Sequence, residues 1–204
     1  MAWRLKEKIF RNLANMITVA GLLMAIWLLL LALACPEKLW LILVLAFLIG
    51  LTDFFDGITA KRLNIKSNLG SALDRLRDKA FICPTLIILA WRYWPENNGL
   101  STILITFTES LVVLMVLIEI FLLVYWVFGL VKKLDVSAGK HGRRKMFLQF
   151  LVVMVWLISL AIEKYCFVPT LNYSIWLIDL ILMVAIGLGT KSLEGYYQRY
   201  NHKT

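Results

Sequence analysis

Long apolar runs joined by short polar connections set the pattern of this chain. The runs lie at about 16–34, 39–60, 70–94, 102–130, 146–163 and 172–191, and each reaches the ~17–25 residues that carry an α-helix across a hydrocarbon layer. The pattern predicts an all-α integral membrane protein with six transmembrane helices. Residues 1–15 read differently. Trp3, Leu5, Ile9, Phe10 and Leu13 are interleaved with Arg4, Lys6, Glu7, Lys8 and Arg11, which predicts a short N-terminal interfacial helix. The domain reading is therefore 1–15 as that helix and 16–204 as one six-helix membrane domain. The first run has a basic flank and an Ala32-Leu33-Ala34 that mimics a leader-cleavage site. Its length exceeds the ~7–15 apolar residues of a leader core, so it is expected to be a retained span.

Composition agrees with this class: hydrophobic residues make up 61% and mean hydropathy is +0.78. The formal charge of +9 carries topological information. Of the 22 Lys and Arg, all but Lys38, Arg92 and Lys164 fall in the N-terminal arm, the 61–79 connection, the 132–145 loop and the C-terminal tail. The positive-inside rule then places both termini and the 53–78 region on the cytoplasmic side. Nucleic acid is excluded as a partner, because the basic residues flank membrane runs and no soluble module presents them. Trp40, Trp91 and Trp94 lie near predicted helix ends, where interfacial rings are favoured. Cys35, Cys83 and Cys166 are isolated, which suits packing better than a disulfide or a metal site. His141 and His202 do not make a zinc site with their neighbours.

The costly residues are the acidic ones. A charge at the centre of a membrane helix costs roughly 2.5–3.5 kcal/mol on insertion scales, yet Asp53, Asp56, Asp74 and Asp78 stand together beside such runs. Asp53, Asp56 and Gly57 fall at i, i+3, i+4, with Ala60 and Lys61 continuing that face; Gly70, Asp74 and Asp78 fall at i, i+4, i+8. Two helices, each with a small residue beside two carboxylates, provide an oxygen-rich cage suited to divalent cations. Asp179 lies alone in the sixth run, and Glu109 and Glu119 lie in the fourth; for these a structural hydrogen bond is at least as good an account as a functional role.

The spacing of the four aspartates resembles the signature of the CDP-alcohol phosphatidyltransferase family, D-x2-D-G-x2-A-R-x8-G-x3-D-x3-D. Asp53, Asp56, Gly57, Ala60, Gly70, Asp74 and Asp78 are in register, and Lys61 replaces the usual Arg. Lys keeps the charge but not the planar bidentate grip. The Asn15-Met16-Ile17-Thr18 stretch resembles the family's N-x-[LI]-T start near the nucleotide, with helix capping by Asn15 as the alternative.

The resemblance implies an enzyme in which Asp53, Asp56, Asp74 and Asp78 hold Mg²⁺ or Mn²⁺, with Asp78 also the general base. It further implies that Asn15, Thr18, Asp56, Gly57, Ala60, Lys61, Gly70 and Asp74 bind a CDP-linked lipid, CDP-diacylglycerol. An acceptor alcohol would attack the lipid-linked phosphorus and CMP would leave. A homodimer in a bacterial cytoplasmic membrane is expected on the same ground. The stretch from Gly139-Lys140 to Gln149 looks like the G-K-x-K-x-x-x-Q of bacterial phosphatidylglycerophosphate synthases, with two extra residues between the basic positions. Lys140, Arg143, Arg144 and Lys145 would then bind the phosphate of a phosphorylated acceptor, most simply glycerol 3-phosphate; their alternative role is topological. Ile118, before Glu119, stands where those synthases carry the Arg of R-E-I. Inositol phosphate, serine and other alcohols are therefore alternative acceptors. An aspartate-rich membrane prenyltransferase and a cation transporter are the readings from other classes. The first usually has about nine spans, and the second is often built from inverted repeats, which this chain lacks.

Overall fold

A computed structural model folds the chain into six helices: α1 (Ala2–Ala34), α2 (Leu39–Leu63), α3 (Asn68–Arg92), α4 (Thr102–Val131), α5 (Lys140–Cys166) and α6 (Thr170–Asn201). It describes the backbone of residues 2–63, 68–94, 102–132 and 140–201, and the side chains of residues 16, 19–52, 79–94, 102–132 and 141–198. No strand occurs among the described residues. Thr102–Val131, His141–Cys166 and Thr170–Gln198 are long and apolar enough to cross a membrane, and Val19–Ala34 and Leu39–Thr52 are shorter apolar segments. The helices match the six apolar runs; three of them meet the length and hydropathy of a span by themselves.

Two elements differ from the sequence expectation. The expected interfacial helix and the first apolar run form the single helix α1. The first Gly is Gly21 and the first Pro is Pro36, so nothing in residues 2–20 breaks the backbone hydrogen-bond ladder. The basic run expected as a loop before the fifth span is the start of α5, a change with consequences for the site.

The chain forms two compact units, Met1–Thr85 and Leu86–Thr204. In the first, α1 packs on α2. Gly21, Ala25, Leu28 and Ala32 form a buried stripe on α1 at spacings of four, three and four. Its small residues allow close approach of a partner helix, the usual device where lipid removes the hydrophobic drive for association. From α2, Leu39, Ile42, Leu45, Ala46 and Ile49 are buried. Leu23, Trp27 and Leu30 point outward, as a lipid-facing surface would. In the connection, Cys35 N–H donates to the Leu31 carbonyl at 2.8 Å and Lys38 N–H to the Cys35 carbonyl at 3.0 Å.

In the second unit α6 packs against both α4 and α5. The α5–α6 connection is tied at both sides: the Thr170 hydroxyl donates to the Ser159 carbonyl at 2.7 Å, and Leu171 N–H donates to Glu163 Oε2 at 3.2 Å. A carboxylate there satisfies one orphan donor of the α6 N-terminus and complements its dipole. Phe167 makes the turn with φ of 58°, a left-handed conformation that a bulky side chain rarely adopts. Trp40 and Trp91 are exposed, but Trp94 turns inward. Its ring lies 5.4 Å from that of the fully buried Trp156, and its Nε1–H donates to the Ala90 carbonyl at 2.6 Å.

Candidate active site

Asp53, Asp56, Gly57, Ala60 and Lys61 lie within α2, and Gly70, Asp74 and Asp78 within α3. Both halves of the signature are therefore carried on helices, as their spacing requires. Their side chains lie outside the described residues. So do those of Asn15 and Thr18, but the backbone of α1 begins at Ala2. Asn15 is thus several turns inside a helix and does not cap one.

The second unit holds a buried polar cluster of its own. Glu119 on α4 and Lys145 on α5 form an ion pair with side chains only 3% and 4% exposed. Gln149, fully buried, donates from Nε2 to Glu119 Oε1 at 2.8 Å. Lys145 and Gln149 are four residues apart, one helical turn, so both meet Glu119 from the same face of α5. Gly189 on α6 closes the cluster. A Cβ at that position would lie 2.8 Å from Ile118 Cγ2 and 3.5 Å from Lys145 Cδ. Only glycine lets α6 come this near.

Because residues 140–145 are helical, the basic run divides. Arg143 and Arg144 are exposed and Lys145 is buried; the side chain of Lys140 lies outside the described residues. The structure therefore does not bring Lys145 together with the two arginines. It also clarifies the resemblance of this stretch. Counted back from the Lys145–Gln149 pair, Gly142-Arg143-Arg144-Lys145-Met146-Phe147-Leu148-Gln149 fits G-K-x-K-x-x-x-Q without extra residues, with Arg143 for the first Lys.

The other acidic residues behave differently. Asp179 on α6 is 2% exposed, and neither carboxyl oxygen has a hydrogen-bond partner among the described residues. Thr108 lies next to it, but the Thr108 hydroxyl donates to the Leu104 carbonyl at 3.1 Å. Glu109 is half-buried. Cys35 and Cys166 are free thiols, His141 is exposed, and no group of three His, Cys, Asp or Glu occurs among the described residues.

Residues 11–188 match the CDP-alcohol phosphatidyltransferase family. The chain belongs to that family. The match takes in both the aspartate signature and the Glu119–Lys145–Gln149 cluster. Among curated relatives, a cardiolipin synthase (CMP-forming) from Streptomyces coelicolor is 39% identical over 87 residues, covering 40% of this chain and 38% of the relative. A CDP-diacylglycerol–glycerol-3-phosphate 3-phosphatidyltransferase from Blochmanniella floridana is 36% identical over 61 residues, covering 29% of this chain and 32% of the relative. The aligned stretches thus span only about a third of the length of these relatives.

Within this family member, sequence reasoning missed the joint role of Glu119 and Gln149. The signal was present: Lys and Gln at four-residue spacing, and Glu119 within the apolar stretch from Leu111 to Val131 on the preceding helix. A carboxylate in that setting needs a cation and a donor, and the only such pair on the next helix is Lys145 with Gln149.

Proposed function

We propose that this chain transfers a phosphatidyl group from CDP-diacylglycerol to an alcohol acceptor and releases CMP. The observation that carries the reading is the aspartate signature, in register and placed on two helices of a chain that belongs to this family. Four carboxylates on two helices are hard oxygen donors, the donor set that suits Mg²⁺ or Mn²⁺. Asp53, Asp56, Asp74 and Asp78 would hold such ions. Bound there, they neutralise diphosphate charge and stabilise the leaving group. Gly57 and Gly70, with Ala60, leave room for the nucleotide near the backbone, and Lys61 supplies a cation for its diphosphate.

In the reaction the acceptor hydroxyl oxygen forms a bond to the lipid-linked phosphorus. The bond from that phosphorus to the CMP oxygen breaks, and CMP leaves with the electron pair. The hydroxyl proton passes to the Asp78 carboxylate, which must stand within hydrogen-bond reach of it. The basic asymmetry of the loops supports six spans with this chemistry at the cytoplasmic face, and the family supports a homodimer.

Glycerol 3-phosphate is our first assignment for the acceptor, with its phosphate on Lys140, Arg143 and Arg144; the G-x-x-K-x-x-x-Q register of α5 and the Blochmanniella relative support it. A second reading, in which the product is cardiolipin and the acceptor a glyceryl lipid headgroup, is favoured by one observation. Lys145 is already neutralised by Glu119, which reduces the positive charge available for a phosphate dianion.

The test is CMP release by the full chain in lipid nanodiscs, with CDP-diacylglycerol and glycerol 3-phosphate, phosphatidylglycerol, inositol phosphate or serine offered in parallel. Release should require Mg²⁺ or Mn²⁺. It should fall by at least about a hundredfold in each of Asp53→Asn, Asp56→Asn, Asp74→Asn and Asp78→Asn, in line with the weight of general-base and metal contributions. No CMP with any acceptor would overturn the proposal, and near-normal turnover of Asp78→Asn would remove its role as base.

A further inference from the structure

The outer face of α6 combines a charge, a notch and an apolar track. Leu180, Met183, Val184, Gly187 and Lys191 recur at helical spacing on one side of the helix, and all of them are exposed. Gly187 is the unusual member. Glycine weakens a helix interior relative to alanine, and at Gly189 packing accounts for it, because a Cβ would strike Ile118. At Gly187 a Cβ would meet nothing within 4 Å. No neighbour in the chain requires that gap, which lies open one turn before Lys191. Lys191 has no ion-pair partner among the described residues. Glu194 lies three residues on, but its Oε1 accepts from Gln198 Nε2 at 3.4 Å. At the same level of α5, a Cβ on Gly142 would lie 3.5 Å from Ser192 Oγ. Arg143 and Arg144, which follow Gly142, are exposed and add positive charge at this end of the helix pair.

We propose that this face of α6 seats one anionic phospholipid. Its headgroup phosphate meets Lys191, its glycerol backbone lies over Gly187, and an acyl chain follows Val184, Met183 and Leu180. The dimensions agree: from Leu180 to Lys191 the helix rises about 16 Å, roughly half of the ~30 Å hydrocarbon layer and so the depth of one leaflet. Apolar side chains alone would accept any lipid tail. A lysine at the end of such a track selects a negative headgroup, since its stem lies on the apolar surface while the ammonium reaches the phosphate. A zwitterionic headgroup carries its own cation, which Lys191 and the two arginines oppose. Gly187 lets the lipid come close to the helix, as small residues let helices approach one another in bilayers. The inference is independent of the phosphatidyl-transfer reading.

The experiment titrates the full chain in detergent micelles with phosphatidic acid or phosphatidylcholine of the same acyl chains. Native mass spectrometry reads bound lipid and oligomeric state together, and phosphatidic acid has no alcohol to serve as an acceptor. The wild type should take up one phosphatidic acid at least about tenfold more tightly than phosphatidylcholine, the weight of a lysine and its basic neighbours near an anionic headgroup. Lys191→Gln should cut that preference about fivefold, and Lys191→Arg should keep it. Gly187→Leu fills the notch, favours the helix and should weaken both lipids at least about fivefold. Lys132→Gln is the control: Lys132 is exposed at the end of α4, its Nζ 4.5 Å from the Phe128 ring centroid, and its loss should leave the preference as in the wild type. Equal binding of the two lipids by the wild type would overturn the inference, as would a preference that persists in Lys191→Gln. An equal drop in Lys132→Gln and Lys191→Gln would do the same, since only diffuse surface charge would then be at work. A dimer that Gly187→Leu breaks, with lipid binding unchanged, would give the notch to a second copy of this chain and also overturn the assignment. CMP release is not the readout, so phosphatidyl transfer stands or falls separately.

Discussion

Glu119 and Asp179 are carboxyls on two helices that pack together, and they are buried almost equally, at 3% and 2% exposure. Their surroundings are opposite. Glu119 meets a lysine and an amide that reach it from one face of α5. Asp179 makes no hydrogen bond among the described residues, and the hydroxyl of neighbouring Thr108 is engaged by its own helix. The first arrangement is one in which a charge persists inside a bundle, because cation and donor offset the loss of water. The second lacks both. A carboxyl inside a membrane helix is a functional hypothesis by default; the partners of Glu119 give it a structural account, and Asp179 needs a separate test.

The largest effect is expected from breaking the paired region. Lys145→Met leaves Glu119 buried without its cation and should cost about 3–5 kcal/mol of stability, read as a lowered unfolding transition in detergent micelles. Adding Glu119→Leu should restore most of that loss, since an apolar pair of similar volume is often neutral or better. A double variant no more stable than Lys145→Met would show that the pair does not act as a unit.

A smaller effect tests the packing that holds the paired region shut. In Gly189→Ala the new Cβ meets Ile118 Cγ2 at 2.8 Å. That methyl belongs to a β-branched side chain with little rotamer freedom in a helix, so α4 and α6 must separate, at about 1–3 kcal/mol. Ile118→Ala in the same chain should recover part of it. The residue at 118 therefore has a local reason to be apolar: it packs on a glycine. Independent, additive losses from the two substitutions would remove that account.

How far the sequence could be read follows the same contrast. Apolar runs marked all six helices because their length alone identifies them, and the aspartate signature was legible because its spacing is fixed by one helical period. The division of the basic run was not. Placing residues 140–145 in a loop gave Lys140, Arg143, Arg144 and Lys145 one role, whereas helical periodicity separates buried Lys145 from exposed Arg143 and Arg144. The continuation of α1 through residues 2–20 was likewise hidden, since a change from amphipathic to apolar composition is visible in sequence and a continuous ladder is not. Glu119 looked like one more isolated acid, because its partners come from another helix.

The smallest effect is predicted at Asp179. Replacing it with Val removes a buried polar group that makes no hydrogen bond among the described residues, and adds a little apolar volume. Losing an unpartnered group of this kind relieves a desolvation cost of about 1–3 kcal/mol, against which modest overpacking must be set. Stability should therefore stay within about 1 kcal/mol of the wild type or rise, opposite in direction to Lys145→Met. The same unfolding transition reads both. A loss above about 2 kcal/mol would mean that Asp179 is held by a partner, and the contrast with Glu119 would dissolve. Unchanged or higher stability together with lost CMP release would sharpen it instead: natural chains keep a destabilising buried carboxyl where it serves the reaction, and Asp179 would then join the residues on which turnover depends.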